Sequence, residues 1–179
     1  MCGIAGIVNL RGNPVEPAEI SRLTSLIAHR GPFGEGTWFN AKRNVAFGHR
    51  RLAIIDPGEG GYQPMVSGDG RHVIVYNGEI YNFLELRREL EAKGAVFRSQ
   101  SDTEVILAAW QAWGEDMLLR FNGMWALAIY DTATDELFLA RDRFGIKPML
   151  YALSSERFVF ASEQRALARS GLLERSEER

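Results

Sequence analysis

Strand-like runs and amphipathic helices that arrive in clusters, not in strict βαβ alternation, predict an α+β fold. Two mostly antiparallel sheets packed together and covered by helices suit that order, a four-layer α/β/β/α sandwich. The 179-residue chain is 46% hydrophobic and 25% charged, the balance of a globular domain large enough to bury a core without disulfides. Every residue from Met124 to Tyr130 is apolar, as expected of a strand buried on both faces.

The elements follow in order. Residues 2–8 are apolar or glycine and predict a buried strand. Ile20, Leu23, Leu26 and Ile27 recur at helical spacing and predict an amphipathic helix from Glu16 to Ala28. Gly31-Pro32 and Gly34-x-Gly36 mark a loop. Short strands are expected near 36–40, 44–49 and 52–55, then a second loop at Pro57-Gly58 and Gly60-Gly61, then a strand from His72 to Tyr76. Phe83, Leu86 and Leu90 predict a helix over 82–93, closed by Gly94. Ser101-x-x-Glu104 has the form of a capping box for a helix carrying Ile106, Ala109, Trp110 and Trp113 and ending at Gly114. Strands near 136–140, 148–152 and 157–161 complete the pattern. Residues 2–168 read as the domain, and 169–179 as a charged tail or the start of a linker.

Composition excludes several function classes. A net charge of −2 offers nothing to nucleic acid or an anionic membrane. No window nears the roughly 18 apolar residues of a membrane helix, and the N-terminus lacks the form of a signal peptide. One cysteine cannot form an internal disulfide, which suits a reducing, cytoplasmic compartment. His29, His49 and His72 lack metal-ligand spacing.

That cysteine, Cys2, stands directly after Met1. Removal of Met1, expected before a small residue, places a thiol and an α-amino group on one carbon. The amine has a reference pKa of about 7.7–8.0 and can take the thiol proton at working pH.

Further segments are Gly48-His49-Arg50-Arg51-Leu52-Ala53-Ile54-Ile55-Asp56, Tyr76-Asn77-Gly78-Glu79-Ile80-Tyr81-Asn82 and Ser101-Asp102-Thr103-Glu104. With Met1-Cys2-Gly3-Ile4, Phe144-Gly145-Ile146-Lys147-Pro148 and Phe160-Ala161-Ser162-Glu163, they resemble the glutaminase domain of glutamine-hydrolysing asparagine synthetases. These are class II, N-terminal-nucleophile (Ntn hydrolase) glutamine amidotransferases. The resemblance runs from Cys2 to about Leu167. Related glutaminases that serve sugar or purine acceptors carry a Thr-Arg-Trp-Ala-Thr-His-Gly type segment where this chain has Arg51 to Asp56, which favours the asparagine synthetase branch.

The resemblance implies that Cys2 attacks the side-chain amide of L-glutamine while its own α-amino group relays the proton. It implies an oxyanion hole from the Asn77 side-chain amide and the Gly78 backbone N–H. Such donors act on charge present only in the transition state, and losing one costs about 10²–10³ in rate. Arg51 would grip the α-carboxylate, as a planar guanidinium can. Asp102, with Glu79 beside it, would hold the α-ammonium, and Ile54 and Ile55 would line the pocket. Some of these residues also suit plainer roles. Asp102 fits a helix N-terminus, Asn77-Gly78 is a hairpin-turn signal, and Arg51 could be an ion-pair partner. A non-catalytic amino-acid-binding or regulatory module is the competing functional reading.

The resemblance also implies a consumer for the ammonia. Asparagine synthetases carry a second, ATP- and magnesium-dependent domain with a Ser-Gly-Gly-x-Asp-Ser loop, which this sequence lacks. No cofactor is expected in the glutaminase portion itself. The expected partners are L-glutamine and a synthetase domain or subunit, with a homodimer left open.

Overall fold

The computed structural model describes residues 1–53, 55–56 and 58–172. The elements run β1 (Gly3–Asn9), α1 (Pro17–Ser25), β2 (Glu35–Phe39), β3 (Val45–Arg50), β4 (Met65–Val66), β5 (His72–Ile80), α2 (Phe83–Ala92), α3 (Asp102–Trp113), α4 (Met117–Arg120), β6 (Gly123–Asp131), β7 (Glu136–Arg141), β8 (Leu150–Leu153), β9 (Arg157–Ala161) and α5 (Gln164–Arg169). The chain divides into two compact units, one of Met1–Leu52 with the segment from Pro148 onward, the other Ala53–Lys147.

The first unit holds a five-stranded sheet in the order β2-β3-β1-β9-β8, antiparallel at every pairing. Ala5 and Ile7 of β1 cluster with Ala46, Val159 and Ala161 of its neighbours. Ile20 and Leu23 of α1 and Ala166 and Leu167 of α5 complete this core. Each fully buried Leu or Ile contributes about 1.5–3 kcal/mol relative to exposure. Helix α1 begins where Pro17 can stand without a backbone N–H, and the Glu16 N–H donates to Glu19 Oε2 at 3.0 Å.

The second unit holds a four-stranded sheet in the order β4-β5-β6-β7, again antiparallel. Ile74, Tyr76 and Ile80 of β5 cluster with Leu86 and Leu90 of α2 and with Val105, Ile106 and Ala109 of α3. Strand β6 is buried from Trp125 to Asp131 on both faces, as the apolar run predicts.

Two expectations and one plainer alternative are corrected. Asn77-Gly78 does not turn the chain, because β5 continues through it and pairs Asn77 with Ala126 and Gly78 with Trp125. Residues 52, 53 and 55 form no strand; the Leu52 N–H is given to Cys2 Sγ and not to a neighbouring strand, and Ile54 lies outside the described residues. The capping box at Ser101 is only half formed. Ser101 Oγ accepts from the Thr103 N–H at 3.1 Å. Glu104 reaches past Ser101 to the N–H groups of Arg98 and Ser99. Of the tail expected over 169–179, residues 173–179 lie outside the described residues, and no described helix is long and apolar enough to cross a membrane.

Candidate active site

Cys2 sits one residue before β1, and the Gly3–Arg50 pairing brings the chain leaving β3 alongside it. The Leu52 N–H donates to Cys2 Sγ at 3.3 Å, and Sγ lies 3.6 Å from the Leu52 carbonyl. The sulfur of a residue otherwise placed near a chain end is therefore held by backbone. A second tie fixes the main chain: Arg30 Nε–H donates to the Cys2 carbonyl at 2.9 Å. The same guanidinium donates through Nη1 to Glu163 Oε1 at 3.0 Å, and His29 Nε2 lies 2.9 Å from that oxygen. Burial pushes the Glu163 carboxyl up, but the Arg30 and His29 hydrogen bonds outweigh it and hold it below the usual range.

Arg51, in the same unit, is 4% exposed. Its N–H donates to the Gly34 carbonyl at 2.9 Å, and its carbonyl accepts from the Phe33 N–H at 3.1 Å. The 31–34 loop thus clamps the backbone of Arg51, a buried residue next in sequence to Leu52, the sulfur's own backbone partner.

In the second unit, Asn77, Gly78 and Glu79 occupy the far half of β5. Asn77 is 1% exposed, and its Nδ2 finds no acceptor among the described residues. An unsatisfied buried donor costs about 1–3 kcal/mol, so a side-chain amide in this state is a feature to be explained. Gly78 is required by close approach. A Cβ there would meet the Met124 carbonyl, lie 2.6 Å from Tyr76 Cε2 and lie 2.8 Å from Trp125 Cα.

Asp102, the first residue of α3, is 4% exposed. Its Oδ2 accepts from Tyr76 O–H at 2.9 Å and from the Ile80 N–H at 3.2 Å. Burial pushes its carboxyl above the usual range, opposed by the donors from Ile80, Tyr76 and Thr103 and assisted by the negative charge of Glu79. Glu79 and Asp102 thus lie close enough for the charge of one to act on the other. Ile55 is half-buried in a bend, next to Asp56, whose Oδ2 accepts from the Gln100 N–H at 2.9 Å. That contact draws the 55–56 bend to the approach to α3.

Within one unit the fold therefore gathers Cys2 with Arg51; within the other it gathers Asn77, Gly78, Glu79, Asp102 and the bend of Ile55. Sequence reasoning left Arg30, Glu163 and Tyr76 without roles. Glu163 lies in a segment the motif comparison singles out and Arg30 does not; 133 residues separate them, and no periodicity joins such a pair. Gln63 is a further miss. It accepts from the Tyr76 N–H at 2.6 Å and donates to Thr103 Oγ1 at 3.2 Å, tying β5 to the start of α3. No group of three or more His, Cys, Asp or Glu that could hold a metal occurs among the described residues.

Comparison with known proteins is specific. The family described as a glutamine amidotransferase domain matches residues 1–179. Asparagine synthetase [glutamine-hydrolyzing] 3 of Bacillus subtilis is 42% identical over 171 residues, covering 93% of this chain and 27% of the relative. A putative asparagine synthetase [glutamine-hydrolyzing] of Mycobacterium bovis is 43% identical over 181 residues, covering 93% and 28%. The chain spans about a quarter of the length of these relatives. Among solved structures, glutamine phosphoribosylpyrophosphate amidotransferase of B. subtilis superposes with a TM-score of 0.81 at 24% identity, over 95% of this chain and 44% of that one. That likeness is one of fold, the Ntn-hydrolase arrangement.

Proposed function

Because the chain belongs to the glutamine amidotransferase domain family, we propose that it hydrolyses the side-chain amide of L-glutamine through a thioester on Cys2. We further propose that it supplies the ammonia to an asparagine synthetase-type domain. The buried Nδ2 of Asn77, which has no acceptor among the described residues, supports the reading from the geometry. A donor kept dry and unpaired is suited to a charge that appears only during reaction, where preorganised donors act most strongly.

The chemistry balances on this chain's own groups. With Met1 removed, the Cys2 α-amine takes the thiol proton as Sγ bonds to the amide carbon. Asn77 Nδ2 and the Gly78 N–H receive the oxyanion. Collapse breaks the C–N bond, the amine returns its proton to the departing ammonia, and water then cleaves the thioester to glutamate. Arg51 takes the substrate carboxylate and Asp102, with Glu79, its ammonium; Ile54 and Ile55 line the side chain. Residues 2–168 form the glutaminase portion in this reading. In this reading ATP and magnesium belong to the synthetase portion, whose acceptor is aspartate or another carboxylate.

The test is glutamate release from glutamine by the Met-free chain. Cys2→Ala is expected to abolish release while leaving the circular-dichroism spectrum and glutamine binding intact. Retained activity in that variant, or equal activity with Met1 in place, would overturn the mechanism.

A further inference from the structure

We propose that the loop after β7, from Arg141 to Lys147, is a preformed anchor that holds the synthetase portion against the glutaminase portion through Phe144 and Ile146. The proposal rests on the functional reading above and names the face involved. Strand β5 ends at Ile80, β6 begins at Gly123, and β7 ends at Arg141 opposite Ala126. Tyr81, α4 and the loop consequently gather at one end of the four-stranded sheet. Arg143 ties them together, donating through Nη1 to the Phe121 carbonyl at 3.3 Å and through Nη2 to the Leu118 carbonyl at 3.1 Å. The side chains presented there are apolar and exposed: Phe144 at 88%, Leu119 at 77%, Ile146 at 55% and Tyr81 at 54%.

Exposure alone says little, since single exposed hydrophobic residues are ordinary. The backbone beneath them is what is unusual. Asp142, 6% exposed, accepts from the N–H groups of Trp125, Phe144, Ile146 and Lys147 at 3.3, 3.1, 2.9 and 2.9 Å. Arg141 donates to the Lys147 carbonyl at 3.0 Å and to the Gly145 carbonyl at 2.5 Å. Gly145 turns the chain at φ +63°, where a Cβ would lie 2.8 Å from Arg141 Cζ. A buried carboxylate and two arginines thus fix a surface loop whose visible product is an aromatic ring held in water. Such rigidity removes the ordering cost of association, and a stiff exposed aromatic is the usual form of a binding hot spot.

Size identifies the occupant. Four side chains fall well short of the roughly 20–30 residues a side of a stable interface between separate proteins. A small anchor suffices when the partner is tethered on the same polypeptide at high effective concentration. The Bacillus subtilis relative carries nearly three quarters of its length beyond the region matched here.

The experiment places this chain in that relative, in exchange for the matching region, and footprints both the isolated chain and the chimera with hydroxyl radicals. Oxidation of Phe144 is expected to fall about tenfold in the chimera, as for a residue entering an interface core. Val96, 86% exposed elsewhere in the same unit, serves as the unchanged reference. Phe144→Ser is expected to reduce the share of released ammonia built into product about tenfold, with glutamate release unchanged. Equal oxidation of Phe144 in both proteins overturns the proposal. Protection already present in the isolated chain does so too, since it makes a second copy the occupant. Protection without glutamate release leaves the anchor standing and removes the catalytic reading instead.

Discussion

Replacing Tyr76 by phenylalanine removes one oxygen, and the structure says where the loss is felt. The hydroxyl donates to Asp102 Oδ2 at 2.9 Å, in a site where both residues are nearly fully buried. A hydrogen bond to a charged group is worth about 1.5–3 kcal/mol. The Ile80 N–H still serves Oδ2 in the variant, so the lower end applies. About 1.5 kcal/mol corresponds to roughly a tenfold weaker hold on the glutamine ammonium. The sign of the pH effect follows. Burial already raises the Asp102 carboxyl, and Tyr76 is among the donors that oppose the rise. Without it the carboxyl protonates at still higher pH. KM for glutamine should therefore climb on acidification from a higher pH in Tyr76→Phe than in the wild type, with kcat little changed. Asp102→Asn, which keeps a partner for Tyr76 but no charge, should show a high KM with that acid limb absent. The assay is glutamate release across pH at varied glutamine. An unchanged KM and an unchanged pH profile in Tyr76→Phe would refute the reasoning.

Other substitutions address the remaining parts. Asn77→Ala should lower kcat about 10²–10³-fold yet barely move the thermal midpoint, because Nδ2 gives up no hydrogen bond within the described structure; a large loss of stability with normal kcat would assign the amide to the fold. Arg30→Lys keeps the charge but not the fork that serves both the Cys2 carbonyl and Glu163. A roughly tenfold fall in kcat/KM is expected from misplacement of the nucleophile, and wild-type kinetics would show that the tie is dispensable. Arg71 hydrogen-bonds Asp131 at 2.7–3.1 Å and holds its carboxyl well below the usual range. A depressed carboxyl contributes stability above the ordinary aspartate pKa and loses it as pH falls through the folded value. Urea unfolding should accordingly find Arg71→Ala less stable near neutrality, with the gap closing in strong acid; a gap that persists there contradicts the ion pair as its source.

Much of this protein is written locally. The apolar run Met124–Tyr130 determines a doubly buried strand whatever it pairs with, and Ile20, Leu23 and Ile27 determine one helix face, because periodicity is a property of neighbours in the chain. The position of Cys2 and the ordered motifs likewise point to a glutaminase from the sequence alone. Tertiary structure alone decides the rest. Whether Asn77-Gly78 turns or runs straight depends on β6, which lies more than forty residues later and supplies the carbonyl that excludes a Cβ at Gly78. The backbone grip of Leu52 on the sulfur, the Arg30–Glu163 pair and the Tyr76–Asp102 bond join residues 26 to 133 positions apart. A polar contact between two side chains leaves no period in either segment; only the sheet pairings that bring those segments together determine which donor meets which acceptor.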